Sequence, residues 1–257
     1  MSDTVPHLEF EGPVARIALR APQRHNALSI EDIAAFTGHL ERVRAMPRLR
    51  VLVVSAGGKS FCSGHHLAHF DPECATEVPP PVEFERLADG IEALAVSTVC
   101  ALQGSVYAGG IDLALACDFR IGVTGMVAGM PAARIGIHLY PGALRRYAAR
   151  LGPGTAKRLC LLGATLPADE LLRAGFLDAL VAPDELDDAI AAMVEQLAAN
   201  APIAVNGMKA ALDAYARDGE AADALAREGF LASFRSADVL EGLRAMKQKR
   251  KPVFTGQ

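Results

Sequence analysis

The sequence is short of several things. Tryptophan is absent, and aromatic residues make up only 5% of 257. With alanine abundant, this reads as genome composition bias and carries no structural argument. There are five cysteines, an odd number, at 62, 74, 100, 117 and 160, with no C-x-x-C among them. That spacing gives no disulfide framework and suits reduced thiols in a cytoplasm. No apolar run is long enough to cross a bilayer. The first residues, MSDTVPHLEFEGPV, have neither a basic start nor an apolar stretch behind it, so no secretory leader is expected. A net charge of −4 gives no electrostatic case for nucleic acid.

What is present is a globular composition, 51% apolar and 22% charged, at a length that fits one large domain. Leu8–Phe10 and Val14–Leu19 flank a Gly-Pro pair and predict a hairpin. Ser29, with Asp32 three residues on, predicts a capping box. The helix it opens carries Ile30, Ile33, Phe36, Leu40 and Val43 on one stripe, which it should bury. Val51–Val54 and Val99–Leu102 are continuous apolar runs, the pattern of strands buried on both faces. Ile111–Cys117 reads as helix and Phe119–Val123 as strand, which is α/β logic. Beyond Pro141 helical patterns dominate, at about 143–163, 168–174, 186–199 and from 203 onward. The basic end, KQKRKPVFTGQ, reads by itself as a solvated tail. His7 and His39 read as structural or surface residues.

Two loops follow buried strands and share a design. GGKSFCSGHHLAHF, residues 57–70, has Gly64 before a short stretch of chain. QGSVYAGG has Gly109 and Gly110 opening a helix. Glycine lets backbone approach a ligand closely, and a helix start leaves N–H groups unpaired. Two such N–H groups converging on one point would hold an oxyanion. The plainer alternative is a pair of ordinary strand–helix turns. A third reading takes Cys62, His65, His66 and His69 as zinc ligands, but adjacent histidines usually diverge, and we assign no metal.

Five stretches, in order, resemble the crotonase superfamily, the enoyl-CoA hydratase/isomerase family. A-P-Q-R-H-N-A-L-S resembles its R-P-x-x-x-N-A-L. G-G-K-S-F-C-S-G-H-H-L resembles G-x-x-F-x-A-G-x-D-L. L-Q-G-S-V-Y-A-G-G-I-D-L-A-L-A-C-D resembles V-N-G-x-x-x-G-G-G-x-E-L-x-x-x-C-D. G-M-P-A-A-R-I-G-I-H-L-Y-P-G resembles F-x-x-P-E-x-x-x-G-x-x-P-G. Residues 237–255 resemble the closing D-x-x-E-G-x-x-A-F-x-x-K-R-x-P-x-F.

The resemblance implies an α/β fold, a spiral of β-β-α units with a C-terminal helical trimerisation region. The core would span 1–195, and 196–257 would pack on it and on neighbouring subunits of a trimer or hexamer. It also implies an acyl-CoA thioester substrate, coenzyme A entering as part of that substrate and no cofactor bound permanently. The backbone N–H groups of His65 and Gly109 would be the oxyanion donors. Along the CoA thioester the first motif would contribute His25 and Ala27, and the second Lys59, Ser63, Gly64 and Leu67. Gly110 and Ala132 would line the acyl end, with Tyr107 as pocket wall. Lys59, Lys249 and Lys251 match positions that meet CoA phosphates.

The chain departs from the family at the acid–base groups. Hydratases of the family place two glutamates about a water. Here those positions are Asp112 and Ala132, and alanine has no acid–base chemistry. Asp112 also has a purely structural reason to exist, since an acid in the first helical turn is favoured by the dipole. The G-I-H-L-Y-P-G stretch is two residues longer than the family's and brings His138 and Tyr140 toward Ala132, while His66 stands where the family commonly has aspartate. These are the candidate substitutes. Gly64–His65 and G-S-V-Y-A-G-G also resemble methylmalonyl-CoA decarboxylase of the superfamily, with G-H-D and G-S-V-W-G-G. Hydration of an enoyl-CoA is the nominal expectation. Decarboxylation or hydrolysis of a CoA thioester, and acyl-CoA binding without turnover, are the alternatives.

Overall fold

The computed structural model describes residues 4–66, 82–135, 137–216, 228, 231–232 and 236–257. Leu67, His69 and Cys74 lie outside the described residues.

Strands β1 (His7–Glu11) and β2 (Val14–Leu19) form the expected antiparallel hairpin, Leu8 opposite Ile17. Helix α1 (Ile30–Arg44) follows; Ile33, Phe36, Leu40 and Val43 are buried as expected, but Ile30, its first residue, is exposed. The Ser29 hydroxyl accepts from the Asp32 N–H while the Asp32 carboxylate accepts from the Ser29 N–H, a complete capping box. Three β-β-α units come next: β3 (Val51–Ala56), β4 (Ser60–Cys62) and α2 (Val82–Glu92); β5 (Ser97–Leu102), β6 (Ser105–Tyr107) and α3 (Gly109–Ala116); β7 (Phe119–Val123), β8 (Val127–Gly129) and α4 (Pro141–Leu162). A turn of 3-10 helix at Ala132–Ile135 precedes α4. Then come β9 (Thr165–Pro167), α5 (Ala168–Arg173), β10 (Ala179–Val181), α6 (Leu186–Ala198), α7 (Pro202–Tyr215) and α8 (Ala237–Gln248).

Each unit sends its first strand to one sheet and its second to another. The larger sheet runs β1-β2-β3-β5-β7-β10 and the smaller β4-β6-β8-β9. From β2 onward the large sheet is parallel. Its middle strands read as unbroken apolar runs because both faces are covered: α6 packs on β3, β5 and β7, and β3 meets β4. This is the spiral of β-β-α units.

The sequence reading treated 57–70 and QGSVYAGG as loops, and the structure corrects it. Each contains a three-residue strand, β4 or β6, and these pair with each other in parallel. The second sheet lifts both glycine turns out of the same edge of the fold.

The C-terminal end is folded back on its own chain. Glu241 accepts both Arg250 Nη1 and Nη2, at 2.6 and 3.0 Å, and the Val253 N–H at 3.0 Å. Asp238 accepts from the N–H groups of Thr255 and Gly256 at 2.8 and 2.9 Å. Arg50 reaches the Phe254 carbonyl. Lys249 and Lys251 remain exposed. Among the described residues no helix is long and apolar enough to cross a membrane.

Candidate active site

The two glycine turns touch. Gly64 has φ +91°, and a Cβ there would stand 2.6 Å from the Gly109 nitrogen. A Cβ on Gly110 would stand 2.3 Å from the Cys62 carbonyl oxygen. Only glycine meets both demands, positive φ at 64 and backbone contact between the turns. Leu28 bridges to His65: its N–H goes to the Gly64 carbonyl and its carbonyl accepts from His66, both at 2.8 Å. Leu28 thus uses the peptide groups on either side of His65, and the N–H of His65 points away from it. The His65 ring lies edge-on to Phe84, centroids 6.4 Å apart.

Helix α3 starts at Gly109, whose N–H meets no acceptor among the described residues. The residue before it, Ala108, sits at φ +47°, ψ −125°, a conformation that costs a non-glycine residue on the order of 1–3 kcal/mol. The family pattern has a third glycine here, so the strain was readable from the alanine in A-G-G.

Asp112 lies one turn into α3 and is buried. Arg146 of α4 binds it in a fork, Nε to Oδ1 at 2.7 Å and Nη2 to Oδ2 at 2.8 Å. The Tyr140 hydroxyl donates to Oδ2 at 2.5 Å. Arg146 Nη1 reaches Asp89 at 2.6 Å and Glu92 at 3.3 Å, and Arg145 forks onto Glu92 at 3.0 and 2.5 Å. Burial alone would lower the Arg146 pKa, but the hydrogen bonds and charges of Asp112, Asp89 and Glu92 outweigh it and raise it. Burial, then the charge and hydrogen bond of Asp112, push the Tyr140 phenol up. Tyr147 is pushed up by burial and then by Asp112, and its hydroxyl is buried with no hydrogen-bond partner among the described residues.

The structure therefore brings one of the candidate substitutes, Tyr140, to Asp112. His138 is exposed, its Nδ1 on the Leu139 carbonyl at 2.7 Å. His66 is half-buried beside the Leu28 bridge. Ala132 is buried at the head of its 3-10 turn and accepts from the Ile137 N–H at 2.9 Å. Arg146 was missed. The signal was there: Ala143, Tyr147 and Leu151 make an inward stripe with arginine set into it, and a buried cation implies a buried acid.

Four of the expected CoA-side residues, His25, Ala27, Lys59 and Ser63, lie around the first turn; no contact brings Lys249 or Lys251 to it among the described residues. His25 is exposed in a left-handed conformation, with Nδ1 3.0 Å from Ser60 Oγ. Beside it Asn26 donates to the Gly57 and Ser60 carbonyls, both at 2.8 Å, tying this loop to the β3–β4 turn. Ala27 is buried, Lys59 exposed and Ser63 half-buried. Cys62 donates to the Asn26 carbonyl and accepts from the Gly64 N–H. Burial pushes its thiol up to about 12, against the Gly64 hydrogen bond, with a further rise from Asp32. It is a structural thiol.

The family model for enoyl-CoA hydratase/isomerase matches residues 9–257. The chain is 29% identical over 253 residues to the crotonyl-CoA hydratase of Syntrophomonas wolfei, covering 96% of each. It is 31% identical over 252 residues to the human mitochondrial enoyl-CoA hydratase domain-containing protein 2, covering 95% of this chain and 86% of that one. The crystal structure of an enoyl-CoA hydratase from Bacillus anthracis superposes with a TM-score of 0.87 at 26% identity, covering 98% and 99% of the two chains. From its two joined glycine turns to its paired sheets and matched length, the chain belongs to the enoyl-CoA hydratase/isomerase family of the crotonase superfamily.

Proposed function

We propose that this chain is an enzyme on acyl-CoA thioesters that stabilises a thioester enolate between the N–H groups of His65 and Gly109. The nominal reaction is addition of water to an enoyl-CoA. The observation that carries the reading is the seating of Gly64 on Gly109, which puts the N–H at the start of α3, unpartnered among the described residues, beside the β4 turn. Charge builds on the thioester oxygen as the enolate forms, and N–H groups fixed in advance stabilise that charge more than the ground state. Asp112 and Tyr140 are the acid–base candidates. Among the described residues Asp112 Oδ1 has one donor, Arg146, and so keeps a lone pair that can orient a water. Coenzyme A enters and leaves with the substrate. Self-association as a trimer or hexamer belongs to the same reading, and exposed Met208, Leu212 and Tyr215 on α7 are a face that such association would cover.

Decarboxylation is a second reading with its own support. Arg146 and Tyr140 already occupy three acceptor positions of Asp112, and Ala132 supplies no second acid. Loss of CO₂ from a carboxylated acyl-CoA yields the same enolate without an activated water.

The test is a product assay on crotonyl-, longer enoyl-, methylmalonyl- and β-keto-CoA, read by mass. Gain of water on an enoyl-CoA supports hydration. Loss of CO₂ moves the assignment to the second reading. Binding without turnover on the whole panel would sink both and leave an acyl-CoA binder.

A further inference from the structure

Helix α2 touches the site at two ends. Near its start, Phe84 is buried, and a Cβ on Gly109 would stand 2.8 Å from its ring Cζ, so the ring rests on the face of Gly109 that a side chain would fill. Near its end, Asp89 and Glu92 bind Arg146, which binds Asp112. Glu85, between them, accepts from the Gly142 N–H at 3.4 Å. Gly109 and Asp112 are the two ends of the first turn of α3. The contacts close a ring: Gly109, Phe84, α2, Asp89 and Glu92, Arg146, Asp112, and back to Gly109. Helix α1 backs the ring from outside, where Arg44 donates to the Gly90 carbonyl at 2.8 Å.

We propose that Phe84 and Arg146 are positioning residues of one brace, which fixes the first turn of α3 and thereby the direction of the Gly109 N–H. Neither needs to touch substrate. An eight-residue helix whose N-cap is a strained alanine without a side-chain cap has little of its own to hold that turn. Phe84 presses on it from the side, and Arg146 holds it through the carboxylate one turn on. The inference rests on the reading that this N–H meets a thioester carbonyl.

The test uses the full chain with Phe84→Leu, Arg146→Lys and the double variant, each checked for its unfolding midpoint. Two quantities are read: kcat against KM on the turned-over thioester, and the infrared carbonyl band of bound butyryl-CoA labelled with ¹³C at the thioester carbonyl. In the wild type the band lies below its position in free ligand. In each single variant it moves back toward the free value, and kcat falls on the order of ten- to a hundredfold with KM little changed, as a small misplacement does. Because the two residues act on one turn, the double variant falls no further than the worse single, where independent effects would multiply. A wild-type shift that both variants leave unmoved overturns the brace alone. A wild-type band at the free position overturns the brace and the enolate reading beneath it. Should Arg146→Lys fail to fold, Phe84→Leu still decides, since leucine keeps the site apolar.

Discussion

Arg146 and Asp112 form a two-point ion pair with 0% and 2% of their side chains exposed. Desolvating two charges is offset only by close geometry and further hydrogen bonds. Here the fork supplies the geometry, and Tyr140, Asp89 and Glu92 supply the rest. The acid that a sequence reading offers as a catalyst is thus also a structural anchor, and the two roles make separate predictions.

Asp112→Asn tests the anchor. The substitution leaves a buried guanidinium with Asp89 and Glu92 but without its principal partner. Breaking a buried pair costs roughly 3–5 kcal/mol, and the two remaining acids keep the loss near the low end, about 3 kcal/mol. For a chain of this size the unfolding midpoint should fall by roughly 6–12 °C, measured by calorimetry. An unchanged midpoint would contradict the anchoring role.

Tyr140→Phe separates chemistry from anchoring. The ring stays, Arg146 still binds both oxygens of Asp112, and only the hydroxyl is removed. If the Tyr140 hydroxyl passes a proton to or from the thioester, kcat falls on the order of 10²–10⁴-fold with KM nearly constant. Steady-state kinetics on the substrate found by the product assay decide it. A kcat within a factor of about two would exclude Tyr140 from the chemistry.

Ala108→Gly should stabilise the protein. The strain of φ +47° at an alanine is released, and the extra freedom glycine gives the unfolded chain returns about 0.4–1 kcal/mol of it. A net gain of about 1 kcal/mol, or a midpoint roughly 2–4 °C higher, is expected. Gly64→Ala works the other way. At φ +91° and with a Cβ 2.6 Å from the Gly109 nitrogen, it forces the two turns apart, and both midpoint and turnover should fall.

These positions mark what the sequence could tell and what it could not. The Ser29–Asp32 cap, the β1–β2 hairpin and the doubly covered β3 and β5 announce themselves through local chemistry and period. The three-residue strands β4, β6, β8 and β9 do not. A run that short shows no alternation, and each exists only because a partner strand from another unit lies beside it. The glycine turns were legible one at a time, but their contact was not, since 45 residues separate Gly64 from Gly109. Tyr140 was legible as a candidate because the G-I-H-L-Y-P-G stretch is two residues longer than the family's and brings a phenol toward Ala132. Of the ion pair beneath it, the inward stripe of α4 marks Arg146 as buried, but which acid meets it is set by how α2, α3 and α4 pack.

Tyr147→Phe gives a prediction whose sign depends on pH. At pH 7 the hydroxyl is buried without a partner among the described residues, so its removal should be neutral or stabilising by up to about 1 kcal/mol. The tyrosine deletion that is expected to matter at Tyr140 is thus expected to be silent seven residues on. At high pH the linkage acts. Tyr147 in the fold holds its proton more tightly than the ordinary phenol near 10, because burial and the charge of Asp112 oppose the phenolate. Below about pH 10 both states carry the proton and the contribution is fully present. Above it the unfolded chain loses the proton that the folded chain keeps, and stability falls by up to about 1.4 kcal/mol per pH unit. Tyr140, raised by burial and Asp112, acts in the same direction, and so does Cys62, its thiol pushed up to about 12, from about pH 9. Wild type and variant share those slopes, so their difference isolates Tyr147. Urea midpoints at pH 9, 10 and 11 should show the phenylalanine variant level with or slightly above wild type at the first and progressively above it at the last. A constant difference across that range would mean that the Tyr147 phenol ionises in the fold as readily as in the unfolded chain.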